Sequence, residues 1–528
     1  MADKPESDVA ARFPDHLRDE SRRTGNAEAI VFASSAAEVA AALRAAAQRG
    51  QRVTIQGSRT GITAGAVPDG GLILCLARLD RILGVRFEGD DPFVRVQPGV
   101  TLNALRAFLD GAAADASGWT PAEREALARL RRGRWMFTPD PTEATASLGG
   151  MIACNASGAC SFAHGPVRRH VQSLRVVLAD GDELALARGA PRAAAGRFHA
   201  LTAGGRALAG TLPPYAPPAV KNAAGYWVRP DMDLLDLFVG SEGTLGAIVE
   251  AELALRPRPP ATWGVVCFLA NEAQALDLVE WLRAPERAGA SRPVAIEYFD
   301  GGVLDLLRQA RQAGVHLPAV APAWHEALYV EYAAPDEAAA AALGEALARR
   351  LAASGDPAAS WAATDEHGLR RLKEFRHAAP EQVNLRIAER QRRHPGLTKL
   401  GTDLSVPDDR LRPVMALYRR DLAEAGLEHV VFGHIGDNHV HVNILPRDPD
   451  DYARGKALYE KWARQVVAWG GSVSAEHGIG KLKTGLLRVQ YGADGIAAMR
   501  ALKRIFDPQG RLNAGNLFPA GERAEERS

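Results

Sequence analysis

Glycine, serine, threonine and asparagine recur in dense clusters between short apolar stretches through the first half of the chain. The clusters are Gly57-Ser58-Arg59-Thr60-Gly61-Ile62-Thr63-Ala64-Gly65, Thr145 to Gly158, Lys221 to Tyr226, and Val239-Gly240-Ser241-Glu242-Gly243-Thr244-Leu245-Gly246-Ala247-Ile248. This pattern constrains the fold most. Glycine lets the backbone pass close to a ligand, and successive N–H groups of such a loop converge on an anion. The clusters therefore predict a long, extended polar ligand wrapped by many loops. The first follows an amphipathic helix expected over Ala36 to Arg49 and a short strand over Arg52 to Gln56. It lacks the Gly-Lys-Ser/Thr ending of a Walker loop and is not a dinucleotide Gly-x-Gly-x-x-Gly turn opening a long helix. Taken alone it also reads as a surface loop. At 528 residues the chain exceeds one ordinary core, so two or three domains are expected.

Imidazoles concentrate in Gly433-His434-Ile435-Gly436-Asp437-Asn438-His439-Val440-His441-Val442-Asn443, and Ser474-Ala475-Glu476-His477-Gly478-Ile479-Gly480 follows. Val430 to Phe432 reads as a strand, Gly436-Asp437-Asn438 as a turn, and His439 to Leu445 as a second strand. Alternation then puts His439, His441 and Asn443 on one face, with Val440, Val442 and Ile444 behind. His434, just before the turn, reaches the same space. Two imidazoles and a carboxylate suit a zinc-like ion that keeps a position open for substrate. A polar hairpin with satisfied histidines is the alternative.

In order and spacing, the glycine clusters resemble the FAD-binding domain of the vanillyl-alcohol oxidase and p-cresol methylhydroxylase family. The second half resembles the matching FAD-linked oxidase C-terminal domain, and the motifs look like those of D-lactate, D-2-hydroxyglutarate and glycolate dehydrogenases. The resemblance runs from about Arg23 to Phe518, and Gly-Ser-Glu-Gly-Thr-Leu-Gly and Glu-His-Gly-Ile-Gly are its most specific elements. It implies an α+β fold: a two-part FAD-binding domain over 24–258, an α+β substrate cap over 259–508, and a return segment and tail over 509–528. Gly57, Ser58, Arg59, Thr60 and Gly61 would cradle the diphosphate, with Thr63 and Gly65 alongside. Pro139, Ser147, Gly149, Gly150, Asn155 and Gly158 would line the flavin, and Glu242, Gly243, Ile248 and Asn513 would close on it. Some members attach FAD through a histidine in the first loop; Arg59 and Thr60 stand there here, so FAD is expected to be non-covalent. Relatives usually read Asn-Pro-Gly-Lys near the end, where Ala514 and Asn516 depart from the pattern.

The same resemblance implies oxidation of a D-lactate-like or D-2-hydroxyglutarate-like 2-hydroxy acid to the 2-oxo acid by hydride transfer to flavin. His434, His441 and Glu476 would hold a divalent metal, in the first place zinc, and His477 would be the general base or an orienter of Glu476. Arg376 matches the family arginine that starts a helix near the flavin and would clamp the substrate carboxylate, with Lys399 as second candidate. Relatives commonly read Gly-Asp-Gly-Asn-x-His, so His439 replaces an asparagine and becomes an additional ligand or a substrate donor. Asn443 fits a substrate- or ligand-orienting role. Two rival functions stay open: a flavin-dependent transferase or lyase of the alkyl-dihydroxyacetone-phosphate synthase kind, and a non-catalytic flavoprotein subunit of an electron-transfer complex.

Beyond Pro257-Arg258-Pro259-Pro260, strand and helix patterns alternate over Gly264 to Leu269, Asn271 to Arg283, Ala295 to Asp300, Ala327 to Tyr332 and Asp336 to Ala352. Gly111 to Trp135 reads as linker and helix, and Arg188 to Pro218 as a surface excursion. A net charge of +1 without a basic stripe argues against nucleic acid as partner. The polar N-terminus and scattered Cys75, Cys154, Cys160 and Cys267, read as packing residues, suit a cytoplasmic protein. No apolar run reaches the ~18 residues of a spanning helix. Peripheral association with the inner membrane would then come through the electron acceptor, whether quinone, cytochrome or electron-transfer flavoprotein; homodimerisation is left open.

Overall fold

The computed structural model describes residues 5–284, 292–353 and 360–519. Its first half is built on two sheets. One has strand order Glu6–Ser7, Ala29–Phe32, Leu72–Cys75, Val53–Gln56, and its last three strands are parallel. The helix Ala36–Gln48 covers it because Val39, Ala40, Leu43 and Ala46 recur at helical spacing and all become buried. Ser35 starts this helix by accepting the Glu38 amide at 3.2 Å, a cap worth roughly 1 kcal/mol. The second sheet is antiparallel, in the order Ile82–Glu88, Asp91–Val96, Ala247–Ala254, Val171–Val177, Glu183–Ala187.

The second half carries a seven-stranded antiparallel sheet ordered Ser360–Ala363, Ala261–Leu269, Glu326–Ala334, Pro293–Phe299, His429–Gly433, His441–Ile444, Leu400–Gly401. Both faces are covered, as strict alternation along its strands requires. Val265, Cys267, Leu328, Val330, Ile296 and Tyr298 pack toward the helices Glu272–Arg283 and Glu337–Ala352. Val266, Phe268, Ala327, Tyr329 and Phe299 pack toward the helices Gly301–Gln312 and Glu366–Gln391. Glu297 shares the parity of Phe299, which puts a carboxylate on the face of the Glu366–Gln391 helix. The chain then returns: Leu512 bridges Val53, and the Asn513 amide donates to the Val53 carbonyl at 2.8 Å.

Several expectations are refined. The linker of Gly111 to Trp135 contains a helix, Pro121–Leu130, started by a reciprocal capping box between Thr120 and Glu123. The stretch Arg188 to Pro218 is not a plain excursion: Arg197–Leu201 and Ala207–Thr211 form a hairpin. Phe198 is buried there and stacks on Phe506 at 5.9 Å, so apolar alternation outweighs the Ala/Gly/Pro content. The second histidine strand begins at His441, because Asn438 takes a left-handed conformation and His439 bridges Ser405 instead. Arg376 lies inside the Glu366–Gln391 helix rather than at its start. No helix among the described residues is long and apolar enough to cross a membrane.

Candidate active site

A cleft of about 350 Å³ runs between the glycine loops. Gly57, Ser58, Arg59, Thr60, Gly61, Thr63 and Gly65 line one part, and Ser147, Gly149, Gly150, Gly158, Glu242, Gly243, Ile248 and Asn513 line the rest. The backbone explains the composition. Arg59 and Ala64 sit in the left-handed region at φ 61° and 60°, which folds the loop back on itself. A Cβ at Gly61 would project into open space, whereas one at Gly57 would stand 2.2 Å from Ser147 Oγ. The first glycine thus leaves room for a ligand, and the second lets two loops touch. Ile55 donates its amide to Asn513 Oδ1 at 2.7 Å, and Asn513 Nδ2 donates to the Glu242 carbonyl at 2.8 Å. Glu242 points its carboxylate at the Ile479 and Gly480 amides, both at 2.7 Å. That contact requires the positive φ of Gly478 and Gly480, and a Cβ at Gly480 would meet the Thr63 carbonyl at 2.1 Å.

The same cleft is lined at one end by His434, Glu476 and His477. Glu476 Oε2 is held by Lys221 Nζ at 2.8 Å and Ser157 Oγ at 3.2 Å. Its Oε1 faces His434 Nε2 at 3.1 Å and His441 Nε2 at 3.3 Å. Both imidazoles are anchored through the other nitrogen: His434 Nδ1 donates to Glu297 Oε1 at 2.6 Å, and His441 Nδ1 donates to the Thr402 carbonyl at 2.8 Å. Anchoring of this kind fixes the tautomer and aims the Nε2 lone pairs. Burial pushes Glu297 up, but His434 and Arg376 outweigh it and hold the carboxylate down to about 2. Burial lowers His434, yet Glu297 and Glu476 raise it to about 9. The space between Nε2 and Oε1 therefore calls for positive charge, either a proton or a metal cation. A tetrahedral ion with bonds of about 2.0 Å has ligand–ligand edges of about 3.3 Å, close to the 3.1 and 3.3 Å seen here. The donor set fits a divalent ion.

Family models match both halves. A model described as FAD binding domain covers residues 27–121 and 124–187, and one described as FAD linked oxidases, C-terminal domain, covers residues 258–517. A D-2-hydroxyglutarate dehydrogenase of Xanthomonas citri is 31% identical over 95% of this chain and 91% of its own length. The chain belongs to the FAD-linked oxidase family. A probable mitochondrial D-lactate dehydrogenase of Danio rerio is 30% identical, over 95% of this chain and 87% of that protein. A glycolate oxidase subunit of Bacillus subtilis is 26% identical, over 93% and 89%. A solved alkyldihydroxyacetonephosphate synthase superposes with a TM-score of 0.62 over 97% of this chain and 82% of that one, at 15% identity, and shares the fold. This oxidoreductase family accounts for the FAD-binding half and for the mixed α and β architecture.

In this FAD-linked oxidase, His477 stacks on His441 with ring centroids 5.2 Å apart, and Nδ1 lies 3.5 Å from Asp403 Oδ2. Burial lowers its pKa to about 4 against the pull of Asp403, so the imidazole is neutral near pH 7. Asp403 also accepts from Ser474 Oγ at 2.6 Å, Lys483 Nζ at 2.7 Å and the His477 amide at 3.1 Å. His439 is fully buried against Asp403 and His441. Arg376 Nε lies 3.4 Å from Glu297 Oε2. Its side chain lines a second cavity of about 420 Å³ that shares Pro141 and Thr142 with the cleft.

Other candidates fall outside the cleft. Lys399 lines neither cavity; it precedes the Leu400–Gly401 strand, and the charge near it is Arg22. Asn443 pairs with Gly401 across the sheet, and its Nδ2 donates to the His441 carbonyl at 3.2 Å. Asn155 closes a loop, accepting the Arg168 amide at 3.1 Å. Pro139 lines neither cavity; its neighbours Thr138 and Asp140 line the second. Cys154 and Cys160, read as packing residues, line the cleft and the second cavity; burial raises both thiols and keeps them protonated. Asn516, a departure from the family ending, does line the cleft and accepts Lys481 Nζ at 2.8 Å. Lys221, Asp403 and Glu297 are the groups that sequence reasoning missed. Glu297 had a signal, a lone carboxylate within the apolar strand Ala295-Ile296-Glu297-Tyr298-Phe299.

Proposed function

We propose that the chain oxidises a 2-hydroxy acid, of D-lactate or D-2-hydroxyglutarate type, to the 2-oxo acid. The observation that carries this reading is that His434, Glu476 and His477 form one end of the cofactor cleft. FAD would be held by the glycine loops of the cleft and supply the two-electron acceptor, and a divalent cation, zinc in the first place, would be held by His434, His441 and Glu476 and supply a Lewis acid. His477 takes the hydroxyl proton on Nε2, and Asp403 beside Nδ1 stabilises the imidazolium that results. Lys221 and Ser157 keep Oε2 of Glu476 occupied, so Oε1 alone turns toward the imidazoles. Arg376 receives the substrate carboxylate where the second cavity meets the cleft, with its planar fork oriented by Glu297.

FAD is dissociable in this reading. Arg59 and Thr60 offer no imidazole, and His16, which reaches Arg59 from the N-terminal segment, contacts Gln56 Oε1 at 2.9 Å and does not line the cleft. Acid precipitation should release intact FAD into the supernatant. Reoxidation falls to a separate quinone, cytochrome or electron-transfer flavoprotein. The test is anaerobic mixing of the FAD-loaded protein with a panel of D- and L-2-hydroxy acids. Bleaching of the oxidised flavin band by one class of acid is expected. A flavin that dithionite reduces but no hydroxy acid reduces would overturn the assignment.

A further inference from the structure

We infer that His439 is a fourth protein donor to the metal site, which makes the resting set three imidazoles and one carboxylate. This rests on the metal reading above and goes beyond its three ligands. His439 offers a ring nitrogen that lies, with one ligand atom each from His434, His441 and Glu476, in a group mutually within 4.8 Å. Its ring centroid is 4.4 Å from that of His441 and 5.4 Å from that of His434. The side chain is fully buried, and neither ring nitrogen makes a hydrogen bond of good geometry among the described residues. Nε2 lies 3.1 Å from Asp403 Oδ1 but is not aligned for a hydrogen bond. Both ring nitrogens are thus buried without a hydrogen-bond partner among the described residues.

A buried polar atom without a partner is rare, and a position beside two aimed imidazoles and a carboxylate explains it. The backbone holds the ring there. The His439 amide donates to the His434 carbonyl at 3.2 Å, and the residue bridges Ser405. The Asp403 carboxylate stands 3.1 Å from Nε2 and supplies negative charge on that side of the ring, without the aligned hydrogen bond that Glu297 makes to His434. A fourth donor also has a chemical consequence. Three-ligand zinc sites leave a coordination position to water or substrate, whereas four protein donors would fill it.

X-ray absorption of the FAD-loaded chain reconstituted with zinc tests this without turnover. Wild type should bind one zinc per chain, and its multiple-scattering signal should fit three imidazoles. His439→Asn keeps a polar side chain beside Asp403 but removes the ring, and its zinc should show two imidazoles with weaker retention against a chelator. Zinc bound to wild type by two imidazoles would refute the fourth donor and leave the three-ligand site intact. A wild type that takes up no zinc would refute both. The imidazole count of wild type decides the matter even if the variant fails to fold.

Discussion

Replacing Lys221 with methionine removes a permanent cation held against Glu476. The ammonium and carboxylate are 2.8 Å apart, with side chains only 6% and 11% exposed, so solvent screens them little. Burial disfavours the charged lysine, yet Glu476 and Asp437 keep its pKa raised. Removing one partner of such a pair typically costs about 3–5 kcal/mol, because the other charge is left uncompensated. His434 still faces Oε1 at 3.1 Å and can carry a proton there. The loss should therefore sit near the lower end, about 3 kcal/mol. With an unfolding entropy of about 2.1 cal/mol/K per residue, a chain of 528 residues would melt about 3 °C lower. Zinc reverses the sign of the lysine's effect, since an ammonium near a divalent ion repels it. Lys221→Met should thus gain more from zinc than wild type does, where saturation at a hundred times Kd is worth about 2.7 kcal/mol. The assay is differential scanning fluorimetry of both FAD-loaded proteins, chelated and zinc-saturated. An equal gap in the two conditions would show that no metal shares Glu476 with Lys221. No gap in the chelated proteins would refute the buried-pair argument itself.

His441→Ala or Glu476→Ala should leave the flavin spectrum intact while substrate reduction falls at least about a hundredfold, since several kcal/mol of charge stabilisation is lost; stopped-flow absorbance reads both. Arg376→Lys keeps the charge but loses the fork, and kcat/KM on the best hydroxy acid should drop on the order of a hundredfold. An unchanged kcat/KM would remove Arg376 as the carboxylate clamp. His170 offers a pH test away from the site: burial lowers it from 6.5 to about 4, so between those values the unfolded chain binds a proton that the native chain does not. Stability should fall as pH drops through that window, by up to about 1.4 kcal/mol per pH unit from this group. His170→Gln, with an amide for Thr138, should flatten that slope in urea titrations at stepped pH.

Local periodicity made much of the architecture legible. The helix at Ala36–Gln48 and the strands around Val431 and Val442 carry their own signal, because apolar spacing matches the face they bury. The hairpin at Arg197–Leu201 was masked by flanking glycine and proline, and only its docking on Phe506 makes Phe198 a core residue. Strict alternation also misplaced the start of the second histidine strand. It assumed an extended chain at His439, whereas the left-handed Asn438 offsets the strand by two residues.

The candidate site was legible in its imidazoles and its carboxylate, and illegible in what aims them. His434, His441 and Glu476 stand in glycine-punctuated motifs that announce themselves. Lys221 and Glu476 are separated by 255 residues, and nothing local to either marks the pair. Lys399 drew attention as the cation of its segment, but the strand at Leu400–Gly401 delivers Asp403 to His477 instead. The division of Glu476 between its two oxygens explains why spacing alone falls short. Oε2 is taken by Ser157 and Lys221, which belong to the FAD-binding half, and Oε1 by His434 and His441 on the sheet of the second half. The arrangement of these side chains therefore comes into being only when the two halves dock.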